Sequence, residues 1–523
     1  MKRITNTLFV SLIGACLLLV SCTKKQESTT LPRSIPEAEG VSSKNIVTFL
    51  DSVAASGRHE LHSFMFLRHG KVIAEGWWNP YRPDLKHTLN SLSKSFTGTA
   101  IGLAAGDNKL SVDDKLVSFF PEYLPDTVSE NLSELKIKNL LSMAVGLARE
   151  PSSVMTTKND PWVKTFMAQP VVIKPGTRYM YNSSASYMLS AIVTKVTGQP
   201  VLEYLTPRLF EPLGIEGADW ESDPEGISTG GWGLRLKTED LAKFGQLYLQ
   251  KGKWNGKQLL PKGWVDEATS VKMQQLPDIT QEKRDSLNDS SQGYCYQFWR
   301  AKHNSYQANG ASGQFVVVMP EKDVVVVLTA NSTDMWGEIG MIWDYLYPGI
   351  KDEALPVDEV ASSELKAKLS SLVLPVPPEV SNNEMISKIS GKEISLAENS
   401  RKYKGLSIQF NDKNCDVVFK TDTVDYNFSF ATGNWSFSTT PKPGPSIFSY
   451  ARNNQQGLPP FKLACAYTWT DDKTLELTLG YIENVQWEKI IMHFNENDNK
   501  VLVEFAITGT PPMRNYKVEG TLM

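Results

Sequence analysis

Ser91 and Lys94 have the residue types and the spacing that suit nucleophilic catalysis. Positions three apart share one face of a helix, so a helix that begins at about Ser91 would bring the serine hydroxyl beside the lysine amine. A serine at a helix N-terminus also faces unpaired backbone N–H groups, which favour an oxyanion there. The small apolar segment 99–105 predicts that this helix is buried, and burial lowers the pKa of an amine toward neutrality. The pair therefore predicts a serine nucleophile with a lysine base.

The spacing alone is not specific, because the chain holds three further serines followed three positions later by lysine. Ser21 lies at the end of an apolar leader, and the copies at Ser133 and Ser363 contain a glutamate and lie in polar amphipathic stretches. Residues 226–230 also match the Gly-x-Ser-x-Gly pattern of α/β-hydrolases. No apolar strand precedes them, so a loop at the edge of a site is the better interpretation.

The six histidines predict neither a Ser-His-Asp triad nor a metal site. His59 and His62 are one residue closer than the spacing that puts two metal ligands on one helix face. The chain has no Cys-x-x-Cys pair of the kind that zinc ribbons use. We expect no catalytic metal and no cofactor.

The composition is that of an ordinary globular protein, with 41% hydrophobic and 21% charged residues. A length of 523 residues predicts roughly two to three domains. The net charge is -4, and no basic run or RNA-binding motif occurs. These features give no indication of nucleic-acid binding.

The first 21 residues predict a lipoprotein signal peptide. They have a basic start and an apolar run at 8–20 that is too short to span a bilayer. Residues 19–22 resemble a bacterial lipobox, which predicts lipidation of Cys22; the alternative is a plain signal peptide. Residues 22–35 predict a polar tether. We therefore expect export and lipid anchoring to a bacterial membrane, on the periplasmic or cell-surface side.

An α/β domain is predicted over residues 36–355. Two strands around His69-Gly70 predict a hairpin, and a second hairpin is expected around the charged turn 321–323. Apolar periodicity predicts helices at 135–147, 162–168 and 181–197. The first two are expected to form a helical lobe.

An all-β module is predicted over residues 380–523, after a helix and a proline-rich linker at 356–379. Alternating strands separated by polar turns indicate a barrel or a sandwich. In an exported compartment Cys415 and Cys465 could form a disulfide, but separate thiols are equally compatible with the sequence.

Residues 91–97 resemble the first motif of the serine β-lactamase and penicillin-binding superfamily, in its class C and esterase branch. Other phrases of that branch follow in matching order, at 110–114, 140–147, 175–177 and 255–258. The resemblance covers about residues 36–345. It implies a β-lactamase/transpeptidase-like fold, which is an antiparallel sheet flanked by helices plus a helical lobe.

The second motif of this superfamily is Tyr-x-Asn, and the chain departs from it. Tyr181-Asn182-Ser183 places Tyr181 at the tyrosine and Ser183 at the asparagine. A serine can still hydrogen-bond the lysine or a substrate carbonyl, although it has fewer donors. Tyr179 is the alternative tyrosine, two residues earlier.

The third motif is normally Lys or His, any residue, then Gly, and here it falls on Ala308-Asn309-Gly310. In β-lactamases that cation helps to hold the carboxylate of the drug, so its loss implies a neutral ester or amide substrate. Gly310 and Ala311 are small enough for close backbone approach. The resemblance implies that the N–H groups of Ala311 and Ser91 form an oxyanion hole, with Asn309, Gly310 and Ser183 near the substrate.

The predicted function is that of a serine hydrolase acting on a small acyl substrate. Ser91 attacks a carbonyl, and Lys94 and Tyr181 share its proton; the sequence does not decide which of the two is the base. Transfer of the acyl group to an alcohol or amine is a close variant. The alternatives are a degenerate protein that binds cell-wall or glycan ligands, and a β-lactamase or D-alanyl carboxypeptidase. The oligomeric state is left open.

Overall fold

The computed structural model describes residues 30–448, 458–495, 498–508 and 516–523. The predicted signal peptide, the predicted lipidation site Cys22 and most of the predicted tether lie outside these residues. No helix of the described part combines the length and the apolar character needed to cross a membrane.

Helices and strands are mixed up to about residue 370, and strands dominate after it. The α-helices are α1 (Ser43–Ser56), α2 (Ser93–Gly106), α3 (Glu130–Glu134), α4 (Ile137–Leu141), α5 (Ser152–Thr157), α6 (Trp162–Met167), α7 (Ser183–Thr197), α8 (Val201–Leu205), α9 (Glu211–Leu213), α10 (Thr238–Leu249), α11 (Trp264–Thr269), α12 (Gln281–Asp285), α13 (Met335–Met341), α14 (Glu359–Ser370) and α15 (Asn383–Ile389). The strands are β1 (His59–Arg68), β2 (Lys71–Trp77), β3 (His87–Thr88), β4 (Asp219–Trp220), β5 (Leu234–Leu236), β6 (Lys253–Trp254), β7 (Lys257–Gln258), β8 (Trp299–Arg300), β9 (Tyr306–Gly310), β10 (Gln314–Met319), β11 (Val324–Ser332), β12 (Lys392–Leu396), β13 (Gly405–Asn411), β14 (Asn414–Lys420), β15 (Tyr426–Ala431), β16 (Ser436–Thr440), β17 (Phe461–Asp471), β18 (Thr474–Tyr481), β19 (Glu488–Phe494), β20 (Lys500–Ile507) and β21 (Tyr516–Leu522).

A six-stranded antiparallel sheet in the order β2-β1-β11-β10-β9-β8 forms the centre of the first part. Both predicted hairpins, β1–β2 and β10–β11, are confirmed. Alternate residues of a strand point to opposite faces. In β11, Val325 belongs to the core that contains Phe244 of α10, and Val326 belongs to the core that contains Phe49 of α1. The sheet is therefore covered on both faces, which explains the continuous apolar run of β11.

The first helix of the helical lobe is shorter than the sequence predicts. The expected helix over 135–147 is wrong, because only α4, Ile137–Leu141, is helical there. Met143 takes a positive φ of 59°, and Gly146 follows at 88°. A Cβ at Gly146 would overlap the carbonyl oxygen of Ile173, so the chain turns here and continues alongside that segment.

The last part is a ten-stranded sheet that closes on itself. Neighbouring strands follow the order β15-β14-β13-β12-β21-β20-β19-β18-β17-β16, and β15 also pairs with β17 through Ala431 and Ala466. Closure removes exposed strand edges. The predicted fold class, an α/β domain followed by an all-β module, is confirmed, and the module is a barrel. Cys415 and Cys465 are both buried inside it as free thiols, so they do not form a disulfide.

The barrel packs directly on the first domain. Phe448 lies against Trp232, with ring centroids 4.3 Å apart, and so joins the core of that domain. The Tyr81 hydroxyl donates a hydrogen bond to the Asn484 carbonyl at 3.0 Å and accepts one from Trp487 Nε1 at 2.8 Å. The two parts thus share both apolar and polar buried contacts.

Tyr81→Phe should lower the free energy of unfolding by about 1–3 kcal/mol, because it leaves a buried carbonyl and a buried indole N–H without partners. Urea unfolding followed by tryptophan fluorescence measures this loss. Tyr345→Phe, at a partly exposed position, is the matched control and should change stability little. Equal losses in the two variants would contradict the role of the Tyr81 hydroxyl.

Candidate active site

Ser91 lies in a 3-10 turn, Asn90–Leu92, directly before α2. The α-helix begins at Ser93, two residues later than the sequence suggests, and Ser91 is partly exposed while α2 is almost wholly buried. Strand β3 pairs with β5 immediately upstream and fixes where the turn begins. Ser91 thus stands at the N-terminal end of a buried helix, where backbone N–H groups are available.

Two polar side chains hold this turn in place. Asn90 adopts a positive φ of 48°, which asparagine tolerates better than most residues, and its Nδ2 donates to the Ala311 carbonyl at 2.9 Å. The Ser93 hydroxyl donates to the Asn90 carbonyl at 2.7 Å and accepts from the Leu234 backbone N–H at 3.1 Å. The turn that carries Ser91 is therefore connected to the β9–β10 turn on one side and to β5 on the other.

The amine of Lys94 lies at the centre of the site and is surrounded by uncharged oxygens. Its Nζ donates to the Ser91 hydroxyl at 3.1 Å, the Ser183 hydroxyl at 3.0 Å and the Gly231 carbonyl at 2.6 Å. The residue is 2% exposed. Burial lowers the pKa of Lys94 to about 7, and the negative charge of Glu150 opposes this shift only in part. The amine is thus poised to take up and release a proton near neutral pH.

Tyr181 covers the other side of this amine. The Lys94 Nζ lies 5.0 Å from the centroid of the Tyr181 ring. Burial raises the pKa of Tyr181, while a side-chain hydrogen bond with Ser91 lowers it. The Tyr181 hydroxyl therefore stays protonated at neutral pH and reaches Ser91. Asn182, the next residue, caps α7 by accepting from the Ala185 N–H at 2.9 Å, which fixes the start of that helix.

Tyr179 stands apart from Ser91 and Lys94 and packs instead on Tyr294 and Trp299, with ring centroids 5.5 and 6.3 Å away. Tyr181 also stacks on Trp299, at 5.6 Å. An aromatic wall thus borders this side of the site. Of the two candidate tyrosines, the structure brings Tyr181 to Ser91 and Lys94.

Strand β9 approaches the nucleophile turn so closely that only glycine fits at its end. A Cβ at Gly310 would overlap the carbonyl oxygen of Leu89 and would lie 3.0 Å from the backbone nitrogen of Leu92. Ala311 follows, at the start of the turn into β10. Asn309 is 6% exposed, and its Nδ2 has no hydrogen-bond partner among the described residues. The predicted close backbone approach at Gly310 is confirmed, while the oxyanion role of Ala311 and the substrate role of Asn309 stay predictions.

The sequence did not identify Gly231, which provides the shortest hydrogen bond to the lysine. A Cβ there would lie 2.8 Å from the Ser183 carbonyl oxygen and 3.5 Å from the Lys94 Nζ. The preceding residue, Gly230, accepts a hydrogen bond from Thr97 Oγ1 at 2.8 Å. The glycine-rich segment is thus a loop at the edge of the site, as expected. The run of glycines was the signal, but its contact with the lysine depends on tertiary structure.

The histidines near the site have partners of their own. His62 lies on strand β1, where its Nδ1 is 2.8 Å from Nε2 of His87. His59 Nδ1 is 2.8 Å from the Ser332 hydroxyl. Among the described residues no group of three or more potential ligands is arranged to hold a metal ion.

A family model described as Beta-lactamase matches residues 51–340. The chain is similar to a 6-aminohexanoate-dimer hydrolase from Paenarthrobacter ureafaciens, with 25% identity over 292 residues that cover 52% of this chain and 73% of that protein. Two solved structures are also similar. EstCE1, a hydrolase with promiscuous acyltransferase activity, has 16% identity and a TM-score of 0.49 over 58% of this chain and 99% of that one. The octameric penicillin-binding protein homologue from Pyrococcus abyssi has 14% identity and a TM-score of 0.46 over 91% and 99%.

Gly310→Ala should slow the ester hydrolysis predicted from the sequence about a hundredfold, because a methyl group there displaces the turn that carries Ser91 and a shift of about 1 Å is enough for such a loss. Initial rates with p-nitrophenyl acetate measure the effect. Gly340→Ala, in α13, is the matched control, since a Cβ at that position meets no atom within 4 Å. The control should keep its rate, and an unchanged rate in Gly310→Ala would refute the packing argument.

Lys94 should change its protonation state near pH 7, because burial lowers its pKa to about that value from 10.5. The 13Cε chemical shift of this lysine, followed by NMR in the folded protein, should have its midpoint there. Lys442 is the matched control. Burial lowers its pKa, but Glu488 and neighbouring tyrosines outweigh that effect and raise it, so its signal should stay constant from pH 5 to 9. A midpoint above 9 for Lys94 would contradict the expectation.

Proposed function

The chain belongs to the beta-lactamase family, and we propose that it is a serine hydrolase that forms an acyl-enzyme at Ser91 with neutral esters or amides. The observation that carries the proposal is the buried amine of Lys94, 3.1 Å from the Ser91 hydroxyl, with a pKa lowered to about 7. A neutral amine at this position is what a serine needs in order to lose its proton as it attacks.

In the proposed first step the Ser91 oxygen attacks the substrate carbonyl, and its proton passes to the neutral Lys94 amine directly or through the Tyr181 hydroxyl. The C–O or C–N bond to the leaving group then breaks. The same proton goes to the departing oxygen or nitrogen, which leaves as an alcohol or amine. Water then attacks the carbonyl carbon of the acyl-enzyme, and its proton passes through Lys94 or Tyr181 to the Ser91 oxygen. This step releases the acid and restores the Ser91 hydroxyl.

We further propose that the backbone N–H groups of Ser91 and Ala311 stabilise the tetrahedral oxyanion. Two features support this role. Gly310 has no side chain, so β9 can come close to the turn that carries Ser91. The Asn90 side-chain amide also donates a hydrogen bond to the Ala311 carbonyl at 2.9 Å, which fixes the position of Ala311. Fixed donors of this kind act without reorganisation during the reaction.

The residue at the start of the third motif, Ala308, supports the proposal that the substrate is neutral. Ala308 stands where a lysine or histidine would provide a positive charge, so the site lacks that anchor for a carboxylate. The similarity to a protein named for hydrolysis of a 6-aminohexanoate dimer supports including amides in the substrate range.

The alternative of a degenerate binding protein has less support. Ser183 replaces the asparagine of the second motif, yet its hydroxyl still accepts a hydrogen bond from the Lys94 Nζ at 3.0 Å. The replacement therefore keeps a polar contact with the lysine. A D-alanyl carboxypeptidase would instead form a lasting adduct with penicillin, and a β-lactamase would hydrolyse penicillin.

Intact-protein mass spectrometry with p-nitrophenyl acetate should show one acetyl adduct, which is absent in Ser91→Ala. Tyr181→Phe should slow acylation about a hundredfold or more, since it removes a hydroxyl that hydrogen-bonds the nucleophile. Tyr179→Phe is the matched control and should acylate at close to the wild-type rate. Benzylpenicillin should leave no adduct. An adduct that persists in Ser91→Ala would refute the proposal. A penicillin adduct would favour the carboxypeptidase alternative, and hydrolysis of penicillin would favour the β-lactamase alternative.

A further inference from the structure

A cavity of about 130 Å³ lies beside the nucleophile turn, between the first domain and the barrel. Asn90 and Ala311 form the wall nearest the candidate active site. Trp232 and Arg235 form a second wall. Ile447 and Val485, both from loops of the barrel, form the third. The cavity thus has walls from two domains that are distant in the sequence.

We propose that this cavity receives the acyl group of the substrate, and that the barrel thereby sets acyl specificity in favour of compact, neutral, largely apolar groups. This inference rests on the proposed function, because it assigns a substrate group to the same nucleophile. It gives the C-terminal barrel a direct part in substrate selection.

The position of the cavity relative to Ser91 supports this assignment. Asn90 immediately precedes the nucleophile, and Ala311 carries the N–H proposed for the oxyanion hole. The substituents of a carbonyl carbon bound between Ser91 and Ala311 would therefore start beside the cavity.

The proton path decides which substituent enters. The leaving group must meet Lys94 or Tyr181 to be protonated, and neither residue lines the cavity. Tyr181 lies instead against Trp299 on the aromatic wall. The leaving group accordingly departs on that side, and the acyl group occupies the cavity.

The volume limits the size of the acyl group. A protein cavity of about 150 Å³ with apolar walls holds a benzene molecule, which has about six heavy atoms. At 130 Å³ this cavity suits a group of similar size, such as a hexanoyl chain in a compact conformation or a benzoyl ring. Longer chains would have to displace the barrel loops.

Charges around the cavity are compensated within the protein, which favours a neutral group. The Arg235 guanidinium donates two hydrogen bonds to Asp219, at 2.6 and 2.9 Å, and its Nη1 lies 3.8 Å from a Glu483 oxygen. Burial raises the pKa of Glu221, which also lines the cavity, to about 8, so its carboxyl is mostly protonated at neutral pH.

The wall formed by the barrel is held firmly against the first domain. Phe448, next to Ile447, packs on Trp232 at 4.3 Å. Near Val485, the carbonyl of Asn484 accepts the hydrogen bond from Tyr81. Val485 is 2% exposed, whereas Ile447 is 42% exposed. The wall therefore offers one buried and one accessible position for substitution.

The first test compares kcat/KM for p-nitrophenyl hexanoate and acetate. Val485→Phe and Ile447→Trp fill the cavity and should each lower the hexanoate-to-acetate ratio by about tenfold or more. Ile447→Trp keeps the test valid if the buried substitution disturbs folding. Val424→Phe, at an exposed barrel position outside the cavity lining, is the matched control and should keep the ratio. An unchanged ratio in both cavity variants would overturn the inference.

The second test measures binding without catalysis. Hexanamide is titrated into Ser91→Ala, with tryptophan fluorescence as the signal because Trp232 lines the cavity. Adding Val485→Phe or Ile447→Trp should weaken binding about tenfold, and adding Val424→Phe should not. If the wild-type protein hydrolyses no ester but this pattern holds, the proposed function fails while the cavity remains the site for compact acyl groups. Binding that is the same in all variants would overturn the inference even if Ser91 is acylated.

Discussion

The burial of one amine is the constraint on which the site depends. Lys94 is surrounded by hydroxyl and carbonyl oxygens and has no carboxylate within hydrogen-bonding distance among the described residues. The difference between a pKa of 10.5 and one of about 7 corresponds to roughly 5 kcal/mol of solvation that the charged form has lost. A nearby carboxylate would recover that energy but would keep the lysine protonated. For the Lys94 amine to react as a base, favourable interactions elsewhere in the fold must offset this loss of solvation energy.

Three separate elements provide the oxygens around this amine, and close packing keeps them there. Ser91 comes from the turn before α2, Ser183 from the first residue of α7, and Gly231 from the loop before β5. Glycine at positions 231 and 310 is required because the backbones approach each other too closely for a side chain. The large two-sided core of the first domain holds these elements in register, so the geometry of the site is a property of the whole domain.

The sequence predicted the features that depend on local patterns. Apolar alternation predicted the hairpin β10–β11. The order of short motifs pointed to Ser91, Lys94 and Tyr181 as candidate site residues, and the structure brings the three together. The choice of Tyr181 over Tyr179 followed from the motif, and the structure brings the same residue to Ser91.

Features that depend on tertiary contacts were not predictable in the same way. The helix expected over 135–147 stops after α4, because the chain turns at Met143 and packs against Ile173. The hydrogen bond from Lys94 to Gly231 joins residues 137 positions apart, and no local pattern encodes such a pair. The cavity beside the nucleophile likewise needs both domains to be in place before it exists.

The packing of Phe448 on Trp232 has a consequence for how the protein is made. Chains are synthesised from the N-terminus, and domains generally fold in that order. The barrel is the last part of the chain to be made, so Trp232 lacks its contact with Phe448 until the barrel has folded. Until then the cavity beside Ser91 also lacks the wall formed by Ile447 and Val485. On the proposed function, completion of the barrel would turn Ser91 from a nucleophile open to many acyl donors into a selective one.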